Sequence, residues 1–196
     1  MTVVVLHPTI FHTKRLILDM HRERELLLFC DLHGHSRRKN VFMYGCNNKN
    51  DPSETRVYPY LLSKLSPFFS FEYSRFGVQK SKESTARVAV YKELQGAVPN
   101  VFTMESSFCG NDHGPFAGHH FTVANLMSVG RDFCRTLLIY CGIPVPPEVQ
   151  SSLVASVNER KKISLLTLTG KELEGEQEGE QEGAAQTGSP LVKKTL

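Results

Sequence analysis

Short continuous apolar runs constrain the fold of this chain more than any other feature of its sequence. ELLLFCDL, residues 25–32, is flanked by acidic residues, and such a run is typical of a buried strand in a parallel or mixed sheet. Four other segments have strand composition: KNVFMYG (39–45), FSFEYS (69–74), ARVAVYKEL (86–94) and NVFTMESSF (100–108). Apolar residues at helical spacing predict helices over residues 9–24 and 121–142. Helices that alternate with apolar strands predict an α/β sandwich.

Capping residues indicate where two of the helices begin and end. Asp51 and Pro52 predict an N-cap and a first helical position. Pro59 fits inside that helix only with a kink or with a later start. Thr122 is the predicted N-cap of the last helix, and Gly142 its C-terminal stop.

The composition is that of a globular protein. The chain has 196 residues, of which 40% are hydrophobic and 22% charged, enough for one domain with its own core. The apolar runs are too short to span a membrane, and the first 15 residues show no signal-peptide pattern. Five cysteines without a CxxC pair predict reduced thiols in a cytoplasmic protein.

The charge is distributed unevenly. Residues 171–196 contain six glutamates and three lysines, so residues 1–170 carry a net charge of +6. A basic body suits an anionic partner, which on charge alone is nucleic acid, lipid or an acidic peptide. The segment EGEQEGEQEG predicts a disordered tail, and residues 143–170 have no assigned structure and are interpreted as a linker or helix.

Two histidines follow the first predicted strand directly. His33 and His35 are two residues apart, so on an extended segment both side chains point to the same side. Ligands bind beyond the carboxyl ends of strands in α/β sheets, and imidazole is a common metal ligand. Two interpretations are open from these residues alone, a metal site and surface histidines.

Further polar residues have two interpretations each. Glu105 ends a predicted strand, and it is either a general base or a salt-bridged or solvated carboxylate. Lys80, Lys82 and Arg87 form either a solvated loop or a pocket for carboxylates. The cluster SRRKN (36–40) has the same two interpretations, and a nucleic-acid role for it is the weakest hypothesis because interleaved aromatic residues are absent. Three histidines of a Gly-rich loop are either metal ligands or surface residues: His113, His119 and His120.

Four motifs occur in order: HPTIFHTK, CDLHGHSRRKNVFMYGC, VQKSKESTARV and FTMESSFCG. Together they resemble the cytosolic carboxypeptidases, a branch of the zinc metallocarboxypeptidases that removes glutamates from tubulin and from other acidic C-termini. The resemblance extends over about residues 6–141. It implies an α/β fold with a mixed, mostly parallel sheet flanked by helices, here incomplete at its N-terminal side.

The resemblance also implies roles for individual residues. His33 matches a ligand of the catalytic Zn²⁺, with His35 on the substrate side, and Glu105 matches the base that activates the zinc-bound water. Arg87 matches the pocket for a terminal glutamate, with Lys80 and Lys82 as further contacts. The implied partners are acidic C-termini such as those of polyglutamylated tubulin, in the cytoplasm and in association with microtubules, with no membrane and no nucleic acid.

The sequence departs from the family in one respect. None of the eight histidines is followed by glutamate at the third position, so the HxxE pair of zinc ligands is absent, and so is a match to the family's Asn/Arg clamp for the terminal carboxylate. Residues 1–142 are therefore interpreted as the C-terminal part of a catalytic domain, inactive on its own. The alternative hypothesis is a non-catalytic chain that binds acidic tails without cleaving them.

Overall fold

The computed structural model describes residues 6–48 and 51–144. These residues form four α-helices, three strands and one 3-10 turn, at Lys80–Lys82. The helices are α1 (Pro8–Glu23), α2 (Glu54–Leu65), α3 (Ala86–Glu93) and α4 (Val123–Tyr140). The strands are β1 (Phe29–His35), β2 (Val41–Tyr44) and β3 (Val101–Ser107). Most of the predicted linker and all of the predicted acidic tail lie outside the described residues. None of the described helices is long and apolar enough to cross a membrane.

The three strands form one mixed sheet in the order β1-β3-β2. β1 runs parallel to β3 over seven pairs, from Phe29 opposite Val101 to His35 opposite Ser107. β2 runs antiparallel to β3. The mixed sheet confirms the predicted fold class, and it leaves β1 as an outer strand of the part of the sheet that the structure describes.

Helices cover both faces of the sheet. Successive side chains of a strand point to opposite faces, so these strands present apolar side chains to a helix layer on each side. On one face, Met43 and Phe102 pack with Tyr58 of α2 and Val129 of α4 in the larger core. On the other face, a smaller core joins the two remaining helices to the sheet through Ile17, Leu18, Phe29, Val90, Tyr91 and Val101. Three of the four flanking helices, α1, α2 and α4, lie in segments predicted as helical. The second face also carries the candidate functional residues at its far end.

Two predicted strands are wrong. Residues 86–93 form α3, because Val90 and Leu94 lie on one side at helical spacing and pack against the smaller core. The β-branched composition had favoured a strand, and tertiary packing overrides that weak preference. Residues 69–74 form a turn with isolated bridges. There the Ser74 hydroxyl donates to the carbonyl of Ser70 and accepts from the backbone N–H of Met43, which replaces a regular ladder.

The predicted helix ends are partly confirmed. α4 begins after Thr122, whose hydroxyl accepts from the backbone N–H of Asn125 in a capping box. α2 begins at Glu54 with Ser53 as its cap, so Asp51 is not the N-cap. Instead, the Asp51 carboxylate accepts from the backbone N–H of Ser53 before the helix. Pro59 lies inside α2, which begins later than predicted.

In the loop after β3, the backbone at Gly110 lies very close to the backbone at His119. A Cβ atom added at Gly110 would lie 1.9 Å from the carbonyl oxygen of His119, and the Gly110 carbonyl accepts from the backbone N–H of Asn40. We expect Gly110→Ala to lower the free energy of unfolding by about 3 kcal/mol, because backbone must move to admit the methyl group. Urea denaturation measures the loss. Gly77→Ala is the matched control, since nothing lies within 4 Å of its added Cβ. Equal stability of the two variants would contradict this account.

Candidate active site

The candidate residues meet where β1 and β3 run side by side. His33 of β1 lies opposite Glu105 of β3, and Phe42 of β2 lies on the other side of Glu105. Because strand side chains alternate, Asp31 and His35 lie on the same face of β1 as His33. The sheet therefore brings together the imidazole and the carboxylate that the sequence had placed at two separate strand ends.

Asp31 positions the imidazole of His33. The His33 Nε2 lies 2.9 Å from a carboxylate oxygen of Asp31, and the His33 side chain is half exposed. In the tautomer in which Nε2 donates to this carboxylate, Nδ1 presents a lone pair. Histidines that bind metals have this arrangement, in which a carboxylate holds the other ring nitrogen. Asp31 was missed in the sequence, although it stands two residues before His33 on the same face.

His35 has a different environment. Its Nδ1 accepts from the backbone N–H groups of Arg37 and Arg38, at 3.2 and 2.9 Å. Its ring packs edge-on against Phe42, with the centroids 5.1 Å apart. The Nδ1 of His35 is thus engaged by the turn after β1, and this side chain fixes the turn next to His33.

The carboxylate of Glu105 is half-buried on the sheet. Burial raises the pKa of Glu105, whereas the neighbouring His33 and His35 lower it, as does Lys82 more weakly. The negative charge of Asp31 raises the Glu105 pKa further. A carboxylate whose pKa is raised toward neutrality is suited to accept and return a proton.

Arg87 lies buried in the first turn of α3. It is 5% exposed, and its Nε and one terminal nitrogen have no hydrogen-bond partner among the described residues. The guanidinium carbon lies 5.5 Å from the ring centre of Tyr44, and the guanidinium interacts electrostatically with Glu105. A guanidinium with unused N–H groups can bind a carboxylate through two hydrogen bonds. Tyr44, the aromatic residue beside it, was missed in the sequence.

Lys80 and Lys82 lie in the 3-10 turn that precedes α3, and both are exposed. Lys82 is close enough to lower the pKa of Glu105. Lys80 is not among the groups that shift this pKa. The structure therefore brings Lys82 near the site, whereas Lys80 only shares its 3-10 turn.

Relatives and solved structures bear directly on this arrangement. Cytosolic carboxypeptidase 2 of Xenopus tropicalis is 46% identical over 138 residues. Cytosolic carboxypeptidase 3 of Mus musculus is 43% identical over 141 residues, and cytosolic carboxypeptidase 2 of Homo sapiens is 44% identical over 137. Each alignment covers 68% of this chain. The chain belongs to the cytosolic carboxypeptidase family. It spans only 14–15% of the length of these relatives, and no model of a protein family matches it.

Solved structures show the same fold. A metallo-carboxypeptidase from Pseudomonas aeruginosa, in complex with (2-guanidinoethylmercapto)succinic acid, superposes with a TM-score of 0.51 at 24% identity. The match covers 65% of this chain and 35% of that protein. A metallo-carboxypeptidase from Burkholderia cenocepacia has the same TM-score at 17% identity. The small mixed sheet is thus part of a metallo-carboxypeptidase fold.

The metal that such a family implies does not fit this chain alone. A catalytic zinc site needs at least three protein ligands, and within residues 6–48 and 51–144 no three His, Cys, Asp or Glu side chains are grouped to hold a metal. All eight histidines lie in these ranges, and none begins an HxxE pair. His33 with Asp31 therefore offers one oriented ligand of a cytosolic carboxypeptidase site and not the complete site.

The remaining candidates have partners in the loops around the site. Arg38 stacks on Tyr73 with its guanidinium carbon 5.0 Å from the ring centre. His113 contacts Asp112 at 2.7 Å and the Ser70 hydroxyl at 3.0 Å. The Nδ1 atoms of the other two loop histidines face backbone carbonyls, at Phe116 and Ala117 for His119 and at Cys109 for His120. These contacts hold the loops in place.

The raised pKa of Glu105 predicts a pH-dependent stability. A carboxyl with a raised folded pKa contributes stability below the unfolded value near 4.5, and this contribution is lost as the pH rises through the folded pKa. We therefore expect Glu105→Gln to be more stable than the original chain at about pH 7 and equally stable below about pH 4. Urea denaturation across this range measures the difference, and exposed Glu72→Gln is the control. A difference that is constant with pH would contradict the prediction.

Proposed function

We propose that this chain supplies the general base, one zinc ligand and the side-chain pocket of a zinc metallocarboxypeptidase that removes C-terminal glutamates from tubulin and other acidic protein tails. The observation that carries the proposal is the pairing of His33 with Glu105 on adjacent strands, next to the buried and unpaired guanidinium of Arg87. The relatives support the carboxypeptidase class by name.

The proposed pocket would favour acidic side chains. A glutamate side chain that reaches Arg87 provides the acceptor which its Nε and terminal nitrogen lack. Lys82 adds positive charge near the site. A peptide that ends in glutamine instead of glutamate brings an amide, which cannot neutralise the guanidinium of Arg87. A site built around a buried polar group rejects analogues that leave that group unpaired.

Glu105 has the position and the charge environment of the general base. Its carboxylate lies opposite His33 on the sheet, so a water held at His33 would be within reach of the neighbouring strand. The raised pKa of Glu105 favours uptake of a proton from that water and its return to the leaving amine. Arg87 and Lys82 would hold the acidic side chain while this transfer occurs.

A second candidate function is recognition of acidic tails without cleavage. The sequence favours it, because the chain has no HxxE pair, whereas Arg87, Lys80 and Lys82 are all present. Both candidates place the protein in the cytoplasm, at microtubules that carry polyglutamylated tubulin, with neither a membrane nor a nucleic acid as partner.

One experiment separates the two functions. The purified chain is incubated with Zn²⁺ and a peptide that ends in several glutamates, and released glutamate is measured by mass spectrometry. We expect binding without release, because a single histidine does not complete a zinc site. Release that disappears in Glu105→Gln would show that the chain is catalytic as it stands and would contradict this expectation.

The catalytic proposal also makes a prediction about sequence. An enzyme of this class needs two further zinc ligands, so the transcript upstream of Met1 is expected to encode an in-frame HxxE pair. Sequencing that region tests the prediction. An upstream reading frame without the pair would remove the catalytic function and leave tail binding.

A further inference from the structure

We infer that Arg38 binds an acidic side chain of the peptide upstream of its last residue, so that the chain prefers tails with several glutamates to tails with one. The inference rests on the proposed function, because it assigns a further contact to the same acidic peptide. It concerns the cluster SRRKN (36–40), to which the proposed reaction gives no role.

Aromatic rings hold the guanidinium of Arg38 in place. Its central carbon lies 5.0 Å from the ring centre of Tyr73 and 5.7 Å from that of Phe42. One terminal nitrogen donates to the backbone carbonyl of Tyr73 at 3.3 Å. Guanidinium groups stack on aromatic faces in this way. Because the side chain is already ordered, it loses less conformational entropy when it takes up a ligand.

Most of the hydrogen-bond donors of this guanidinium are unused. Among the described residues, the contact with Tyr73 is its one hydrogen bond, and Arg38 forms no ion pair. The side chain is only partly buried, and its other two nitrogens are accessible to solvent. The unpartnered nitrogens of Arg87, in contrast, are buried. A guanidinium that is fixed and accessible is suited to bind a carboxylate through two hydrogen bonds.

The carboxylates near Arg38 do not neutralise it. Asp112 accepts from the Tyr73 hydroxyl at 2.9 Å and lies 2.7 Å from Nδ1 of His113. Glu72 is exposed on the neighbouring turn. No salt bridge joins Arg38 to either carboxylate in the part of the chain that the structure describes. The charge of Arg38 is therefore available to a carboxylate from another molecule.

Arg38 lies beside the candidate active site. It covers the ring of Phe42, which is opposite Glu105 in the sheet, and the side chains of such cross-strand partners project from the same face. The backbone N–H of Arg38 also donates to His35, whose ring lies 5.1 Å from that of Phe42. The guanidinium is thus on the face that carries the proposed general base.

Arg38 and Arg87 mark two separate positions for acidic side chains. Arg87 lies over Tyr44, two residues further along β2 than Phe42, which is a separation of about 6.5–7 Å along the strand. An extended peptide repeats its side chains on one side at the same interval. In the proposed function the last glutamate side chain reaches Arg87, so an upstream glutamate comes to Arg38.

The test compares two fluorescent peptides, one of five glutamates and one of four glutamines followed by a single glutamate. Each is titrated into the original chain and into Arg38→Gln, and the Kd values are measured. We expect Arg38→Gln to weaken binding of the penta-glutamate peptide by about tenfold and that of the other peptide by less than about twofold. Arg37→Gln is the matched control, since this neighbour is exposed and removes the same charge. It should weaken penta-glutamate binding by less than about threefold.

The outcomes distinguish this inference from the proposed function. If the original chain binds and Arg38→Gln weakens both peptides equally, or neither, the inference is overturned and the proposed function stands. No binding of either peptide to the original chain would overturn the proposed function as well.

A second measurement needs no variant, so it does not depend on whether Arg38→Gln folds. Phenylglyoxal modifies accessible arginines, and mass spectrometry of the original chain gives the rate at each position. We expect the penta-glutamate peptide to slow modification of Arg38 at least threefold and to leave that of Arg37 nearly unchanged. Equal protection of the two arginines, or protection of neither, would contradict the inference.

Discussion

Replacing Arg87 with methionine is expected to stabilise the fold and, in the same variant, to abolish its preference for acidic peptides. Arg87 is 5% exposed and two of its nitrogens are buried without a partner in the described residues, and each such group costs roughly 1–3 kcal/mol. Methionine has a similar length and no polar group. We expect the free energy of unfolding to rise by about 1–3 kcal/mol.

The measurement is urea denaturation of the Arg87→Met variant and of the original chain. Arg22→Met is the matched control, because that side chain is 75% exposed on α1 and is paired with Asp19 at the surface. Peptide titration of the same proteins then reports selectivity. Loss of stability in Arg87→Met together with an unchanged preference for glutamate would contradict the role of Arg87. The combination of gained stability and lost binding is the signature of a side chain retained for a ligand.

The second large effect is expected at the outer strand β1. Its seven residues form the outer edge of the sheet among the described strands, and Leu32 in its middle is 67% exposed. Long outer strands with exposed apolar residues pair with other chains. We expect the chain to self-associate at micromolar concentration, and Leu32→Lys to weaken this association by about tenfold or more, because lysine opposes edge pairing.

Analytical ultracentrifugation measures the association. Val123→Lys is the matched control, since Val123 is 75% exposed but lies at the start of α4 and not on a strand. A chain that stays monomeric at all concentrations would contradict the prediction. So would an equal effect of the two lysine variants, since the association would then depend on charge in general and not on the edge of β1.

The sequence predicted the parts of the fold whose signal is local. The apolar runs of β1, β2 and β3 and the spacing of α1 and α4 each predict their element from neighbouring residues, and the predicted N-cap Thr122 marks the start of α4. α3 was assigned wrongly because Val88, Val90 and Tyr91 are residues that favour strands, whereas burial against β1 and β3 selects a helix. That burial depends on residues far away in the sequence.

The sequence predicted which residues form the candidate site, but it predicted less about their neighbours and their burial. The sequence motifs identified His33 and Glu105 as candidate site residues. The parallel register of β1 and β3 places them opposite each other. Asp31 and Tyr44 were missed because an acidic residue and a tyrosine within apolar strands have no distinct pattern of their own. The burial of Arg87 was also not predictable, since it results from the packing of α3 onto the sheet.

Peptide selectivity tests the central claim most directly. Two peptides that differ only in their last residue, glutamate or glutamine, are titrated into the original chain, and the ratio of their Kd values is taken. We expect the glutamate peptide to bind about tenfold or more tightly, equivalent to about 1.4 kcal/mol, and Arg87→Met to bring the ratio to one. Equal affinities in the original chain would contradict the account.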